Sequence, residues 1–382
     1  MDIDEAVTLT QDRLTQEGGT MGDLLGHFRN RISRILIGDP EWERVLKCAG
    51  MLPITMGALP FGFELPLHAH RPEADFGVSL ASGTRAAAYF QERARTDERD
   101  ETAKAIARMF GQMDSEDSAL RDIVGRKLML EFDIGSARDG EGSLPGMFLR
   151  PGERPIMGGC GQVDDVAMVV DALVSCVGWE MSDATREHVN RVYLAQTEDT
   201  RMDSFGVFPS RSRAIRFAIM GFKSQQELCS YLEDTGWPGE TSAVDSLIAR
   251  FRERANIVRA GANIDVQEEG VGPTLGLTLI VKQRYTKDSR YWLDGLSDWD
   301  PFLEALSYED IVVPEKLTAL ADWVSKPTPL FSKSGRYVLL RGIHHIKLVI
   351  SENQLQKAKA YVFMVLSGAV SPVISPVGRT MP

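Results

Sequence analysis

The chain has 382 residues, 43% of them hydrophobic and 25% charged, the composition of an ordinary globular protein. Its formal net charge of −11 argues against sequence-independent binding to nucleic acid, which needs a basic face to neutralise phosphates. The four cysteines, Cys48, Cys160, Cys176 and Cys229, form no Cys-x-x-Cys pair, so neither a disulfide framework nor a zinc knuckle is indicated. With a polar, acidic stretch over residues 1–17 and no apolar run of the roughly 20 residues that span a bilayer, the expected location is a reducing cytoplasm.

In chain order, residues 3–48 read as helical, with Leu24, Leu25, Phe28, Ile32, Ile35 and Leu36 on one stripe. Further helices are expected over 102–113, 163–177, 223–232, 243–255, 300–306 and 314–324, whereas 182–197 is readable as a capped helix or as a strand. Asp164 and Asp165 suit the amino terminus of the helix that they open. Between the helices, pairs of strand-like runs joined by a turn recur about every 70 residues, a period that points to an internal repeat. They cover 61–81, 128–150, 204–220, 274–293 and 343–363. Residues 371–382, with Pro372 and Pro376, read as a solvated tail, and nothing divides residues 1–370, which are expected to form one domain.

The strands alternate in an informative sense. Phe61, Phe63, Leu65 and Leu67 share one face, while Glu64, His68 and His70 share the other. In the fourth pair Leu275, Leu277, Leu279 and Val281 oppose Thr278, Lys282 and Arg284. A sheet that is greasy on one face and charged on the other packs the first under helices; if it closes on itself, the second lines a polar lumen.

The order helix, hairpin, helix, with the motif Leu59-Pro-Phe-Gly-Phe-Glu-Leu-Pro-Leu followed by Asp75-Phe-Gly-Val-Ser-Leu-Ala-Ser82, resembles the αββα-barrel (ABBA) aromatic prenyltransferases. The resemblance implies an α+β fold: five repeats forming a closed, ten-stranded antiparallel barrel with its helices outside. It implies transfer of an isoprenyl group from a diphosphate to an indole- or phenol-type acceptor in secondary metabolism. Glu64 falls where the family's carboxylate holds the acceptor and takes the proton lost on aromatic substitution. The family's cation and tyrosine pairs for diphosphate are partly kept. Lys359 and Tyr361 reproduce one pair; Arg216 keeps its cation beside Ala218, and Tyr291 keeps its aromatic beside Ser289. Gly77, Gly146 and Phe148 stand where polar groups are expected, and Lys282, Arg284 and Lys347 supply substitute charge. The implied partners are an isoprenyl diphosphate and an aromatic acceptor or peptide, with no nucleic acid or membrane. No cofactor is called for, Mg2+ being compatible but not required.

Two other functions fit the residues. Loss of part of the diphosphate set suits a catalytically degenerate barrel that binds a peptide or aromatic metabolite as an accessory protein. His68, His70 and Asp75 follow the His-x-His-x4-acid spacing of cupin metal sites, which suits a metal-dependent oxygenase. Aspartate-rich metal binding at Asp164, Asp165 and Asp171, and phosphate cradling at Gly158-Gly159-Cys160-Gly161, are better explained by helix capping and a turn.

Overall fold

A computed structural model describes residues 3–115, 118–134, 144–281 and 299–368. The amino-terminal helices α1 (Ile3–Glu17), α2 (Met21–Gly26) and α3 (Asp39–Ala49) lead into the hairpin of β1 (Phe61–Pro66) and β2 (Asp75–Ala81). Helices α4 (Arg85–Thr96), α5 (Glu101–Met113) and α6 (Ala119–Val124) precede β3 (Lys127–Phe132) and β4 (Gly146–Leu149). Then follow α7 (Val163–Cys176), α8 (Asp183–Leu194), β5 (Arg201–Val207) and β6 (Ile215–Phe222). The next repeat comprises α9 (Gln225–Thr235), α10 (Thr241–Arg254), β7 (Ile257–Gln267), the two-residue β8 (Gly270–Val271) and β9 (Leu275–Val281). The last has α11 (Asp300–Ser307), α12 (Pro314–Ala321), β10 (Ser325–Ser332), β11 (Gly335–Ser351) and β12 (Gln354–Ser367).

All twelve strands join one antiparallel sheet, and it closes. β12 pairs with β1, Tyr361 opposite Glu64, while β9 bridges β7 and β11, so that five hairpins make a ten-stranded ring with β8 and β10 attached beside it. Closure removes the ring's open edges. The greasy face is outermost and dry: Phe61, Phe63, Leu65, Leu275, Leu277 and Leu279 are buried beneath the helices. Phe63 packs against Trp42, Phe76 and Trp323, tying α3 and the segment after α12 to the first hairpin.

Local chemistry explains the helix starts. Thr84, Asp100, Ser118, Ser182 and Ser224 each accept a hydrogen bond from a backbone amide of the first turn they cap. The Ser182 cap resolves the ambiguous segment in favour of helix. Asp164 and Asp165 sit in the first turn of α7, and Asp171 pairs with Arg186 at 2.8 Å.

One expected element moves by a strand. Residues 275–281 are not the first strand of the fourth hairpin but its return strand, whose partner is β7. The lumen positions of that return strand include Gly276 and Thr278. Lys282, Arg284, Ser289 and Tyr291 lie outside the described residues, as does the tail 371–382. No helix among the described residues is long and apolar enough to cross a membrane.

Candidate active site in the barrel lumen

Strand parity and register together decide which side chains meet inside. Glu64 is flanked by Tyr361 on β12 and Asp75 on β2; Gly77 on β2 lies opposite Glu131 on β3; Arg216 on β6 lies opposite Asp265 on β7. Lys347 on β11 sits between Thr278 on β9 and Lys359 on β12. Two lysines directly across a ladder repel each other, and a neighbouring anion offsets that repulsion. Glu64 supplies that anion.

The Glu64 carboxylate is 3% exposed and accepts hydrogen bonds from the Lys359 ammonium and the Tyr361 hydroxyl. Lys347 Nζ donates to Tyr361 Oη at 3.0 Å and lies 4.6 Å from the centre of that ring. Burial pushes the Glu64 carboxyl upward, but Lys359, Arg211 and Lys347 outweigh it and hold the group well below the usual carboxylate range. Burial, and then Arg216, bring the Lys347 ammonium down to about 8. Burial, with Glu64 and Glu131, keeps the Tyr361 phenol well above its ordinary value and therefore protonated.

A second cluster adjoins the first. Arg211, in the turn between β5 and β6, donates Nε to Asp133 Oδ1 at 3.0 Å and reaches Glu131 at 3.2 Å and Asp75 at 3.5 Å. Its guanidinium lies 4.0 Å from the centre of the Phe208 ring, with that of Arg216 4.9 Å from the same ring. Arg216 forms a two-pronged pair with Asp265 at 2.7 and 2.8 Å. Aromatic surface completes the wall: Phe148 meets Phe208 edge to face at 5.0 Å, and His345 stacks on Tyr361 at 4.2 Å.

Of the sequence-predicted residues, the structure brings together Glu64, Arg216, Lys347, Lys359 and Tyr361. His68 and His70 do not join them, because β1 ends at Pro66 and both lie in the following turn. His68 Nδ1 contacts the Ala358 carbonyl at 3.1 Å, and His70 is exposed. Asp75 faces Glu64 and Glu131 instead; these three carboxylates are the one group among the described residues whose potential ligand atoms all lie within 4.8 Å of one another. Arg211 lies against two of them, Asp75 at 3.5 Å and Glu131 at 3.2 Å. Sequence reasoning missed Glu131, Asp133, Arg211, Phe208 and Asp265. The alternation of β3 carries a signal for Glu131, which stands opposite Leu128 and Leu130 in parity, and none exists for the turn residue Arg211.

The sequence matches no family profile and no curated protein. Among solved structures the chain is similar to 6-dimethylallyltryptophan synthase from Micromonospora olivasterospora, in complex with DMASPP and Trp, at 10% identity over 91% of this chain and 97% of that one, with a TM-score of 0.47. It is also similar to 5-dimethylallyl tryptophan synthase from Streptomyces coelicolor, in complex with DMASPP and Trp, at 12% identity over 95% and 99% of the two chains, with a TM-score of 0.48. The strand pairings of this chain define its own architecture. It is an αββα barrel.

Proposed function

We propose that the lumen transfers an isoprenyl group from a diphosphate to an indole- or phenol-type acceptor. The observation that supports this reading best is the buried array of Glu64, Lys359, Tyr361 and Lys347, a fixed carboxylate beside two cations and an aromatic face. Heterolysis of the allylic C–O bond needs positive charge for the departing diphosphate and π faces for the allyl cation, in a site screened from bulk water. Lys347, Lys359 and Arg216 would meet the diphosphate, Tyr361 and Phe208 the cation, and Glu64 an N–H or O–H of the acceptor. No resident cofactor is needed.

A second reading has its own support. Asp265 holds Arg216, Asp133 and Glu131 hold Arg211, and Glu64 holds Lys359, so a diphosphate must compete with five carboxylates once Asp75 is included. That compensation favours a barrel that binds an aromatic metabolite or peptide without turnover. Calorimetry with dimethylallyl thiolodiphosphate, followed by mass spectrometry of incubations with dimethylallyl diphosphate and tryptophan, indole or tyrosine derivatives, separates the two. Micromolar binding that Lys359→Ala weakens more than about tenfold supports transfer, since charge-assisted contacts contribute about 1.5–3 kcal/mol. Tight binding of an aromatic ligand with none of the diphosphate supports the accessory role.

A further inference from the structure

We propose that Glu131, rather than Glu64, takes the proton released when the acceptor ring is substituted. The inference rests on the transfer reading and concerns which of two adjacent carboxylates does which work. Glu64 is committed: both of its oxygens accept hydrogen bonds from cationic or phenolic donors, and these favour its charged form. A carboxylate held so firmly in its ionised state is a weak base, suited to orienting an acceptor by accepting its N–H or O–H.

Glu131 is differently placed. Its carboxylate accepts from one nitrogen of Arg211 at 3.2 Å, and that guanidinium is engaged more closely by Asp133. Its cross-strand neighbours on the lumen face are both glycines, Gly77 and Gly146. A side chain at residue 77 would meet nothing nearer than the Leu130 carbonyl at 3.8 Å, so no side chain from that position covers Glu131. On its other flank the Phe208 ring lies over Gly146, leaving no room there for a side chain. Glu131 is thus within reach of an acceptor bound to Glu64: oxygens of the two carboxylates lie within 4.8 Å of each other, with Asp75 and Arg211 beside them and the Phe208 ring bounding the Gly146 side.

The charged and titratable groups that face Glu131 are Glu64 from β1, Asp75 from β2, Arg211 from the turn after β5 and Lys347 from β11, with Asp133 beyond Arg211 on its own strand's extension. Burial raises the Glu131 carboxyl, repulsion from Glu64 and Asp75 adds to this, and Arg211 and Lys347 oppose it, leaving the group at about 7. A base of that strength matches the working pH of general-base catalysis. In the step itself, the allylic C–O bond breaks and its electron pair leaves with the diphosphate. The allyl carbon bonds to the acceptor ring, and the C–H pair at that ring carbon restores aromaticity as the proton moves to a Glu131 oxygen. Neutralising Glu131 also relieves its repulsion with Glu64 and Asp75, and the proton then passes to water.

The full-length protein is titrated between pH 5 and 9 with 13C-labelled glutamate, as wild type, Glu131→Gln and Glu64→Gln. One carboxyl resonance titrating near neutrality and missing only in Glu131→Gln is expected; its assignment to Glu64, or its absence, overturns the inference whatever the activity. Single-turnover transfer is then followed by mass spectrometry. Glu131→Gln is expected to lose about 10²–10⁴-fold in rate together with the acidic limb of the pH profile. Glu131→Asp should recover part of both, and Glu64→Gln should raise the acceptor KM and keep the limb. Product formed by wild type and by Glu131→Gln at equal rates sinks the role alone. No product from wild type with any pair of substrates sinks the transfer reading and the role with it. Thermal melts establish that each variant is folded.

Discussion

Replacing Lys359 by alanine leaves Glu64, whose side chain is 2% exposed, without its nearest cation. Removing one partner of a buried ion pair costs about 3–5 kcal/mol. Lys347 and Tyr361 remain on the other side of the carboxylate, and the Lys359 side chain is 21% exposed, so the cost falls at or just below the lower end of that range, roughly 2–3 kcal/mol. The pH dependence carries a definite sign. The folded carboxyl of Glu64 titrates below its ordinary value of 4.5, so its ionised form contributes stability that is complete above 4.5 and lost as the pH falls through the lower folded value. In Lys359→Ala that contribution is reduced, and the gap to wild type should narrow as the pH drops below 4.5. Urea denaturation of wild type, Lys359→Ala, Glu64→Gln and the double variant, at pH 7 and pH 4, yields the coupling energy directly. A coupling below about 0.5 kcal/mol at pH 7, or a penalty equal at the two pH values, refutes the electrostatic account of the site.

Three further outcomes follow from the same geometry. Because the folded Glu131 carboxyl sits at about 7 instead of 4.5, the native state retains a proton across that window and loses stability as the pH rises through it; Glu131→Gln should gain on wild type by up to roughly 3 kcal/mol between pH 5 and pH 8 in urea titrations. Lys316 on α12 is 1% exposed and donates to the carbonyls of Pro66 at 2.7 Å and Arg71 at 2.8 Å. Lys316→Met should therefore cost about 2–4 kcal/mol and speed hydrogen exchange at Gly38 and Val313, whose amides bond into the same turn at Pro72 and Leu67. Asp265→Asn frees Arg216 from its two-pronged partner and should tighten dimethylallyl thiolodiphosphate about tenfold by calorimetry, while unchanged affinity would count against Arg216 as a diphosphate ligand.

The barrel was legible in the sequence where its outer face carries large residues. Phe61, Phe63 and Leu65 alternate with small or polar neighbours, and the same contrast marks β9. Among the strands that escaped notice, β7 turns Ala260, Ala262, Ile264 and Val266 towards the helices; its first half is too small to stand out from the helix before it. Missing it displaced the fourth hairpin, so that residues 275–281 read as its first strand. In the site, parity alone puts Glu64, Arg216, Lys359 and Lys347 on one side of their strands. What it does not contain is register, and register decides that Asp265 faces Arg216 and that Glu131 stands between two glycines. A turn residue such as Arg211 has no parity, so its central position becomes apparent only when the strands on either side are placed.

The seam between β1 and β12 joins residues 61–66 to residues 359–364, nearly three hundred positions further along the chain. A ribosome releases β1 long before its partner exists, and until then the four earlier hairpins can form only an open sheet with two bare edges, one at β1 and one at β9. The helices can cover that sheet's greasy side during synthesis. The lumen cannot form until the long β11–β12 hairpin enters and pairs with both edges at once. Glu64 then acquires Lys359, Tyr361 and Lys347 in the same event, from strands delivered last. Assembly of the polar centre and loss of the aggregation-prone edges are consequently one step, and a slow final phase in refolding should report both.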